Sequence, residues 1–452
     1  MTKNKYVPID LPRNLDGLIE NLSEEVKEAI ARITAERLAE GRWVAPETID
    51  FDPNDTEFIA YWLHKTRAPL RKAMAGSGIE ERLAPWKGTR FDLAPRGFEA
   101  KTEYHLSAAG DLMFAKHLEE SKDHLYGAVE DLIFGADLAF ANLESTLTSG
   151  EVKEMAVAEK GDTPYINITP GQYEALVKHK GSKFDIVQLA NNHILDCGEE
   201  GISTTIDQLA RDQIAFVGAY VSEADSRSVT SVQVGDLKIG WVAHTWSVNF
   251  KPAPEHKSWI CDVTPFHIEQ EPDTSRIEEQ IRQARAEGCD LVILALHWGL
   301  EHEFYPHPDQ LAWARRFAEA GADAIIGHHP HVIQFTEIYR PERNPGQAVP
   351  ILYSLGNLTP AYCAPATVLS LVANLRIAKG RVNGDTKTLI TGLELTPVAF
   401  MGEKQSNCEF AAIVPLEQLN RCPLDADTRA FVNELAEIAD FVLGESWRDP
   451  GK

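Results

Sequence analysis

The chain has 452 residues, of which 44% are hydrophobic, and it carries a formal net charge of −24 at pH 7. This length and hydrophobic content suffice for a large core and for more than one structural unit. The negative charge argues against binding to nucleic acid or to anionic membrane surfaces, because both require a basic face. It also disfavours attraction of a polyanionic substrate, unless a metal or a local basic patch reverses the field.

Residues 1–100 differ in pattern from the rest of the chain. An amphipathic helix is predicted from Ser23 to Glu40, with Gly41 as its end. A second helix is predicted from Thr56 to Ala75, and Pro69 is expected to break or bend it. We therefore predict a helical N-terminal extension, whose simplest interpretation is an appendage that packs on the rest of the protein.

From about Thr102 onward, apolar strand-like runs alternate with helical segments. The alternation predicts an α/β layered fold, and the apolar strands indicate burial on both faces. The predicted strands are Tyr104–Ala109, Ala136–Ala141, Phe184–Ala190, Leu237–Ala243, Asp290–Leu296, Ala322–Ile326 and Val349–Tyr353. The predicted helices between them include Gly171–His179, Glu200–Asp212, Thr274–Glu287 and Pro308–Ala320.

The division into units follows from these patterns. Residues 101–400 are predicted to form the main domain, in which Thr367–Ile377 and Thr388–Phe400 are expected to be antiparallel strands. Residues 401–452 are predicted to form a C-terminal helical segment packed on that domain, with an amphipathic helix at about Asp425–Leu443.

The cysteines and the first residues of the chain indicate the cellular compartment of the protein. The six cysteines are scattered without a CxxC pair, which is typical of buried thiols in a reducing compartment. The N-terminal lysines are not followed by an apolar stretch, and no run approaches the length of a membrane span. We expect a cytoplasmic protein without a membrane span.

Polar residues follow most of the predicted strands at the point where each strand ends. In open α/β sheets, ligands bind beyond the carboxyl ends of the strands. The residues at these positions are Gly110-Asp111, Asn142-Leu143-Glu144, Asn191-Asn192-His193, His297-Trp298-Gly299-Leu300-Glu301, His328-His329-Pro330-His331 and Ser354-Leu355-Gly356-Asn357. The sequence therefore predicts one shared site of carboxylates, amides and imidazoles, and this mixture suits Zn²⁺, Mn²⁺ or Fe better than Ca²⁺ or Mg²⁺.

This series of motifs resembles the CapA family of poly-γ-glutamate capsule synthesis proteins, within the calcineurin-like metallophosphoesterase superfamily. The resemblance covers about residues 104–360 and leaves the first hundred residues unmatched. It implies a layered metallophosphoesterase-like β-sandwich flanked by helices. It also implies a divalent metal cofactor, one or two ions of Mn, Zn or Fe.

Carried over position by position, the resemblance implies a set of ligands and a set of catalytic residues. Glu144 takes the place of a bridging aspartate, and His193 takes that of a histidine that acts as an acid or stabilises the transition state. One metal position would keep Asn192, His297, His329 and Glu144, and the other Asp111, His331 and the shared Glu144. Catalytic roles fall to His193, Asp111 and His297, whereas His328 is left without a role.

The chain departs from the superfamily at one position. A histidine is expected two residues after Asp111, and Met113 stands there instead. The loss leaves a full two-metal phosphoesterase in question. The metal could then be a single ion, or absent if the chemistry is carried by side chains alone.

Three functions remain open on these residues. The first is a metal-dependent hydrolase acting on an amide- or peptide-like bond, of the poly-γ-glutamate type, or on a phosphoester. The second is a metal-independent peptide epimerase that uses an Asp or Glu and a His as base and acid at one carbon. The third is a non-catalytic accessory protein of poly-γ-glutamate synthesis or export. The expected partner is accordingly a small-molecule, peptide or glutamyl-polymer substrate.

Overall fold

The computed structural model of the chain describes residues 5–148, 150–152, 155, 160–251, 253–405 and 408–448. It confirms the predicted layered α/β architecture, with two mixed sheets that share one hydrophobic core and helices around them. The ring of Phe140 in one sheet stacks on Trp241 of the other at 4.7 Å between centroids. Residues 1–4, part of the segment used to predict the absence of a leader, lie outside the described residues.

The strands are numbered in chain order. They are β1 (Tyr6–Val7), β2 (Arg90–Asp92), β3 (Glu99–Leu112), β4 (Leu138–Asn142), β5 (Thr146–Leu147), β6 (Asn167–Ile168), β7 (Lys178–His179), β8 (Ser182–Lys183), β9 (Ile186–Gln188), β10 (Ala215–Val217), β11 (Thr230–Val234), β12 (Leu237–Thr245), β13 (Leu291–His297), β14 (Ala324–His328), β15 (Thr336–Tyr339), β16 (Val349–Leu352), β17 (Asn357–Thr359), β18 (Leu369–Val382), β19 (Asp385–Gln405) and β20 (Cys408–Pro415).

The first sheet has the order β1-β19-β18-β3-β4-β9-β10, and β17 also pairs with β3. Its strands β3, β4, β9 and β10 are parallel to one another. Strands β18 and β19 form a long antiparallel hairpin beside β3, as the sequence predicted for this region. The carboxyl ends of β3 and β4 therefore lie side by side.

The second sheet has the order β11-β12-β13-β14-β16-β15. Its four central strands are parallel, and the two edge strands are antiparallel to their neighbours. Every residue of β13 and β14 is buried, as expected for parallel strands covered on both faces. In this sheet His297 pairs directly with His328 at the ends of β13 and β14.

The helices begin and end at local sequence signals. In α9, Pro308 occupies the first turn, His307 and Gln310 form a capping box, and Gly321 ends the helix with a φ of +130°. The helices are α1 (Glu24–Ala39), α2 (Thr56–Arg67), α3 (Ile79–Leu83), α4 (Glu130–Phe134), α5 (Pro170–Val177), α6 (Gly198–Arg211), α7 (Glu223–Ser226), α8 (Ser275–Ala286), α9 (Pro308–Ala320), α10 (Pro365–Val368), α11 (Leu416–Arg421) and α12 (Ala426–Leu443). No helix of the described residues combines the length and the apolar character needed to cross a bilayer.

Two features of the predicted organisation differ from the structure. Helix α2 ends at Arg67, which confirms the predicted break at Pro69, since the residue before a proline disfavours the helical conformation, but residues 68–75 do not continue the helix as predicted. Residues 401–405 and 408–415, predicted as part of a helical segment, belong to β19 and β20, and helix begins only at Leu416. Division of the chain into three independent units stays a prediction.

Glycines allow the strand ends to approach closely. A Cβ atom at Gly327 would lie 2.0 Å from the carbonyl oxygen of Tyr353, and one at Gly110 would lie 2.1 Å from that of Gly356. Such contacts are impossible for any larger residue without movement of the backbone. The two glycines therefore help to bring the residues that follow them, Asp111 and His328, together.

Candidate metal centre and active site

The predicted strand ends meet in one place, but they come from both sheets rather than from one. Asp111 and Asn142 end β3 and β4 of the first sheet, and His297 and His328 end β13 and β14 of the second. The Asn142 side-chain amide donates to Asp111 Oδ1 at 2.8 Å and lies 3.2 Å from His297 Nδ1. This amide thus joins the two sheets at the site.

His297 is held by hydrogen bonds on both ring nitrogens. Because the Asn142 amide donates to Nδ1, the imidazole carries its proton on Nε2, which donates to Asn192 Oδ1 at 2.8 Å. The same Nε2 lies 3.3 Å from Glu144 Oε1. Burial lowers the pKa of His297 well below its ordinary value, so the ring is neutral.

Glu144 is fully buried, and neither of its carboxylate oxygens has a hydrogen-bond partner among the described residues. Apart from His297, its near neighbour is His331, whose Nε2 lies 4.0 Å from Oε1. Burial, and then the charge of Asp111, raise the pKa of Glu144 well above its usual range. A buried carboxylate without partners is costly, and a bound cation is one way to offset that cost.

His329 and His331 follow β14 with unusual backbone conformations. Their φ angles are +97° and +57°, in the left-handed region that residues other than glycine rarely adopt. The His331 Nδ1 atom lies 2.9 Å from Asn357 Oδ1 and 3.6 Å from Asp111 Oδ2. Strained backbone of this kind is concentrated at functional sites.

The ligand atoms form two overlapping groups that share Glu144. Those of Asp111, Glu144 and His297 lie within 4.8 Å of one another, and so do those of Glu144, His329 and His331. The resemblance implied a shared Glu144 but grouped His297 with His329 and placed His331 beside Asp111. In the structure His331 borders both groups, and Asn192 reaches the site through His297.

His328, to which no role was assigned from the sequence, contacts the site directly. Its Nδ1 lies 2.8 Å from Asp111 Oδ1. Burial alone would raise the pKa of Asp111, but His328 and the neighbouring histidines hold it well below its usual value. The pairing of β13 with β14, which sets His328 beside His297, is the feature that would have identified this residue.

His193 lies apart from the ligand groups, at the edge of a cavity. Its Nδ1 lies 2.8 Å from Asp196 Oδ2, and Asp196 also forms an ion pair with Lys251. The carboxylate fixes the orientation of the ring and leaves the second ring nitrogen for another partner. Asp196 was not identified from the sequence, although its spacing of three residues from His193 is a usable signal.

A cavity of about 170 Å³ opens onto these residues, and the N-terminal extension lines much of it. Asn192, His193 and His331 lie on the site side. Leu300, Glu301, His302 and Glu303, in the segment after β13, also line it. The opposite wall is largely apolar and includes residues from Leu15 to Lys65. The extension packs on the rest of the protein, as expected, and it also lines the cavity beside the candidate ligands.

Met113, which stands where the resemblance led us to expect a histidine, is buried. It packs with Ile166 and Ala361 and lines the cavity. The position therefore contributes to the apolar wall.

Known proteins resemble the chain over its central part. Residues 105–362 match the model of the family described as "Bacterial capsule synthesis protein PGA_cap". The capsule biosynthesis protein CapA of Bacillus anthracis is 28% identical over 283 residues, which cover 61% of this chain and 64% of that protein. The PGA biosynthesis protein CapA of Bacillus subtilis is 29% identical over 257 residues, which cover 56% of this chain and 62% of that protein. The alignments thus span less than two thirds of each relative.

A solved structure adds a more distant similarity. A hypothetical protein from Thermus thermophilus aligns over 65% of this chain and 98% of its own length, with 14% identity and a TM-score of 0.36. A score of this size supports no conclusion about fold or function.

Proposed function

The chain belongs to the bacterial capsule synthesis protein family PGA_cap, and on this premise we propose that it is a metal-dependent hydrolase. The bond it cleaves is an amide- or peptide-like bond, with a phosphoester as the other candidate. The relatives are named for capsule and PGA biosynthesis, which favours the amide. The observation that carries the proposal is the buried carboxylate of Glu144, which has no hydrogen-bond partner among the described residues and lies beside the imidazoles of His297 and His331.

The residues present fit a divalent metal. Glu144, His329 and His297 all belong to the two groups of candidate ligands, and among the described residues the Glu144 carboxylate and His329 Nδ1 have no hydrogen-bond partner. His297 would have to give up its Nε2 proton to bind an ion through that atom. Neutral imidazoles and carboxylates together suit Zn²⁺, Mn²⁺ or Fe. Asp111, Glu144, His297, His329 and His331 would hold the ion, with Asn192 beside them. When bound, such an ion lowers the pKa of a water molecule and polarises the bond to be cleaved.

The remaining chemistry belongs to side chains of the chain itself. His193 lines the cavity and is oriented by Asp196, so it can donate a proton to the leaving group. The side-chain amides of Asn142 and Asn357 orient the rings of His297 and His331. The wall of the cavity beside these residues is mostly apolar.

Metal content and hydrolysis test this proposal together. We expect the chelator-treated protein to recover bound Zn²⁺ or Mn²⁺, and the His329→Ala variant to retain much less metal. His267→Ala removes another histidine, one that contacts His307 and Trp313 rather than the site, and is expected to bind metal normally. With γ-glutamyl p-nitroanilide and bis(p-nitrophenyl) phosphate as substrates, hydrolysis should require the metal. Full activity in metal-free protein would refute the proposal.

The position of Met113 favours a second candidate, because it removes one expected ligand from the site. An epimerase would need only a base and an acid at one carbon, with Asp111 or Glu144 paired with His297 or His193. Reaction in D₂O distinguishes the two. Deuterium at Cα of a peptide substrate without cleavage supports the epimerase, and cleavage without deuterium at Cα supports the hydrolase.

A further inference from the structure

The cavity beside the metal centre is apolar on the side formed by the N-terminal extension. Residues Leu18, Leu22, Ile49, Phe51, Ile59 and Trp62 line it. None of these residues lies within the segment 105–362 that matches the family. This wall is therefore a feature of this chain's extension.

The wall is anchored to the site by contacts with the loop after β13. The Trp62 indole donates to the Glu301 carboxylate, and Glu301 Oε1 lies 3.9 Å from His329 Nε2. The backbone of Leu70 bonds with His302 and Phe304, and Lys65 forms a buried ion pair with Glu303 at 2.8 Å. The wall is thus fixed against residues that border the candidate ligands.

A second path connects the wall to the ligands through aromatic rings. The ring of Phe51 lies 4.9 Å from that of Trp246, which lies 5.2 Å from the ring of His329. On the opposite side, Met113 and Ala361 add to the apolar surface. A group that reaches the metal centre from this cavity therefore has apolar neighbours on both sides.

The charges of the lining do not suit an acidic polymer. Among the described residues, the lining carries the carboxylates Glu47, Asp162, Glu301 and Glu303. Its lysines are Lys65, paired with Glu303, and Lys160, which donates to Thr56 at 2.9 Å. Glu47 is likewise paired, with Arg42 at 2.5 Å, so the lining is mostly apolar surface and neutralised ion pairs. A row of γ-glutamyl carboxylates would lose its hydration against this surface.

We infer that the wall of the N-terminal extension selects a substrate with a bulky apolar group next to the bond that reacts, such as an aliphatic acyl chain, rather than a run of glutamyl carboxylates. The inference rests on the proposed function, since only a reacting site has a substrate. It narrows that function to amides of apolar acids or to peptides with large apolar side chains.

Three hydroxamates that share one metal-binding group test the inference. Acetohydroxamate, octanohydroxamate and γ-glutamyl hydroxamate are titrated by calorimetry into zinc-loaded protein. Each buried methylene contributes about fourfold in affinity, and we expect the cavity to bury about three to four of the six methylenes that octanohydroxamate has in addition to acetohydroxamate. Octanohydroxamate should therefore bind on the order of 100-fold more tightly. Binding of γ-glutamyl hydroxamate as tight as that of octanohydroxamate would overturn the inference.

Variants that fill the cavity test whether the wall causes the difference in affinity between octanohydroxamate and acetohydroxamate. In Ile59→Trp and Ile49→Trp, octanohydroxamate should lose its advantage while acetohydroxamate binds as in the wild type. The matched control is Val221→Trp, at a residue that is 51% exposed and does not line the cavity, and it should change neither affinity. If Val221→Trp reduced the affinity for octanohydroxamate as much as the cavity variants do, the effect could not be assigned to the wall. Circular dichroism verifies that each variant is folded.

A probe that needs no metal separates this inference from the proposed function. If acetohydroxamate fails to bind the zinc-loaded protein, the proposed metal site is wrong. The neutral fluorophore N-phenyl-1-naphthylamine then tests the wall by itself, in metal-free protein. Binding that Ile59→Trp weakens at least tenfold supports an apolar subsite, and a lack of binding to the wild type overturns it.

Discussion

The Nδ1 atom of His328 lies 2.8 Å from the Oδ1 atom of Asp111, and both side chains are fully buried. Asp111 also receives the Asn142 amide on the same oxygen. Two neighbours therefore fix one oxygen of this carboxylate, and its other oxygen lies 3.6 Å from His331. The contact gives His328 the geometry of a residue that positions a ligand.

We predict that His328→Gln lowers metal affinity without abolishing it. Partners that orient a metal ligand typically contribute about 10- to 100-fold in affinity. The measurement is competition for Zn²⁺ against a chromophoric chelator. His267→Gln, which removes a histidine outside the site, should leave the affinity unchanged. An unaltered affinity in His328→Gln would assign this residue to packing alone.

The sequence predicted the members of the site better than their arrangement. Polar residues directly after apolar strands are a local pattern, and so are the proline and glycine that bound α9, Pro308 and Gly321. The distribution of the strands between two sheets depends on pairings distant in sequence. Which of three nearby imidazoles faces Asp111 depends on the left-handed backbone at His329 and His331, which no local preference predicts.

The role of the extension could not be predicted for a related reason. Its helices were recognised from hydrophobic spacing, and α1 agrees with the prediction to within one residue at each end. The surface on which they pack is formed by residues such as Trp246 and Tyr362, about 200 to 300 positions further along the chain. Periodicity identifies which face of a helix is apolar, but it does not identify the partner of that face.

Glu144→Gln is predicted to stabilise the metal-free protein and to weaken its response to metal. Because burial raises the pKa of Glu144, folding at neutral pH must either protonate this carboxyl group or bury its charge. A neutral glutamine avoids that penalty, which is worth about 1–3 kcal/mol. Urea unfolding with and without Zn²⁺ measures both effects. In wild type, the metal should raise the free energy of unfolding, and in the variant this increase should be much smaller.

The matched control for Glu144→Gln is Asp111→Asn, at a carboxylate that does have partners. Asp111 accepts from Asn142 and contacts His328, so its loss should destabilise the metal-free protein. Opposite signs for the two carboxylates are the expected result. If Glu144→Gln destabilised the metal-free protein, the burial of the Glu144 carboxyl group could not be a source of destabilisation in it.

The buried ion pair between Lys65 and Glu303 is predicted to hold the extension over the site. Both side chains are less than 10% exposed, so removal of one partner leaves an uncompensated charge and should cost about 3–5 kcal/mol. The double variant Lys65→Met/Glu303→Gln should cost less than the sum of the two single variants. Urea unfolding gives the three free energies, and limited proteolysis between residues 40 and 75 reports release of the extension. If the loss of stability in the double variant equalled the sum of the losses in the two single variants, Lys65 and Glu303 would not be directly coupled.

His244 is predicted to make part of the protein's stability depend on pH. Its ring lies 2.9 Å from Thr264 Oγ1 and 2.8 Å from Gln280 Oε1, and Asp262 and Arg276 act on it from the same side of the sheet. Burial lowers the pKa of His244 below its ordinary value of 6.5, and Asp262 opposes this only in part. As the pH falls below 6.5, the unfolded chain therefore binds a proton that the folded protein does not. The contribution is fully present above pH 6.5 and is lost as the pH falls towards the folded pKa, by at most about 1.4 kcal/mol for each pH unit.

The test compares His244→Gln with wild type in urea unfolding at pH 7.5 and pH 5.5. Other buried histidines contribute to the wild-type decrease, so the variant should show a smaller decrease rather than none. His256→Gln removes a histidine whose side chain is 88% exposed, and its decrease should match that of wild type. An equal loss of stability in His244→Gln and in wild type would contradict the prediction, because it would mean that the buried ring of wild type accepts the proton in the folded state. A doubly protonated ring donates from both nitrogens. Gln280 Oε1 can accept from such a ring, but Thr264 would have to switch from donor to acceptor.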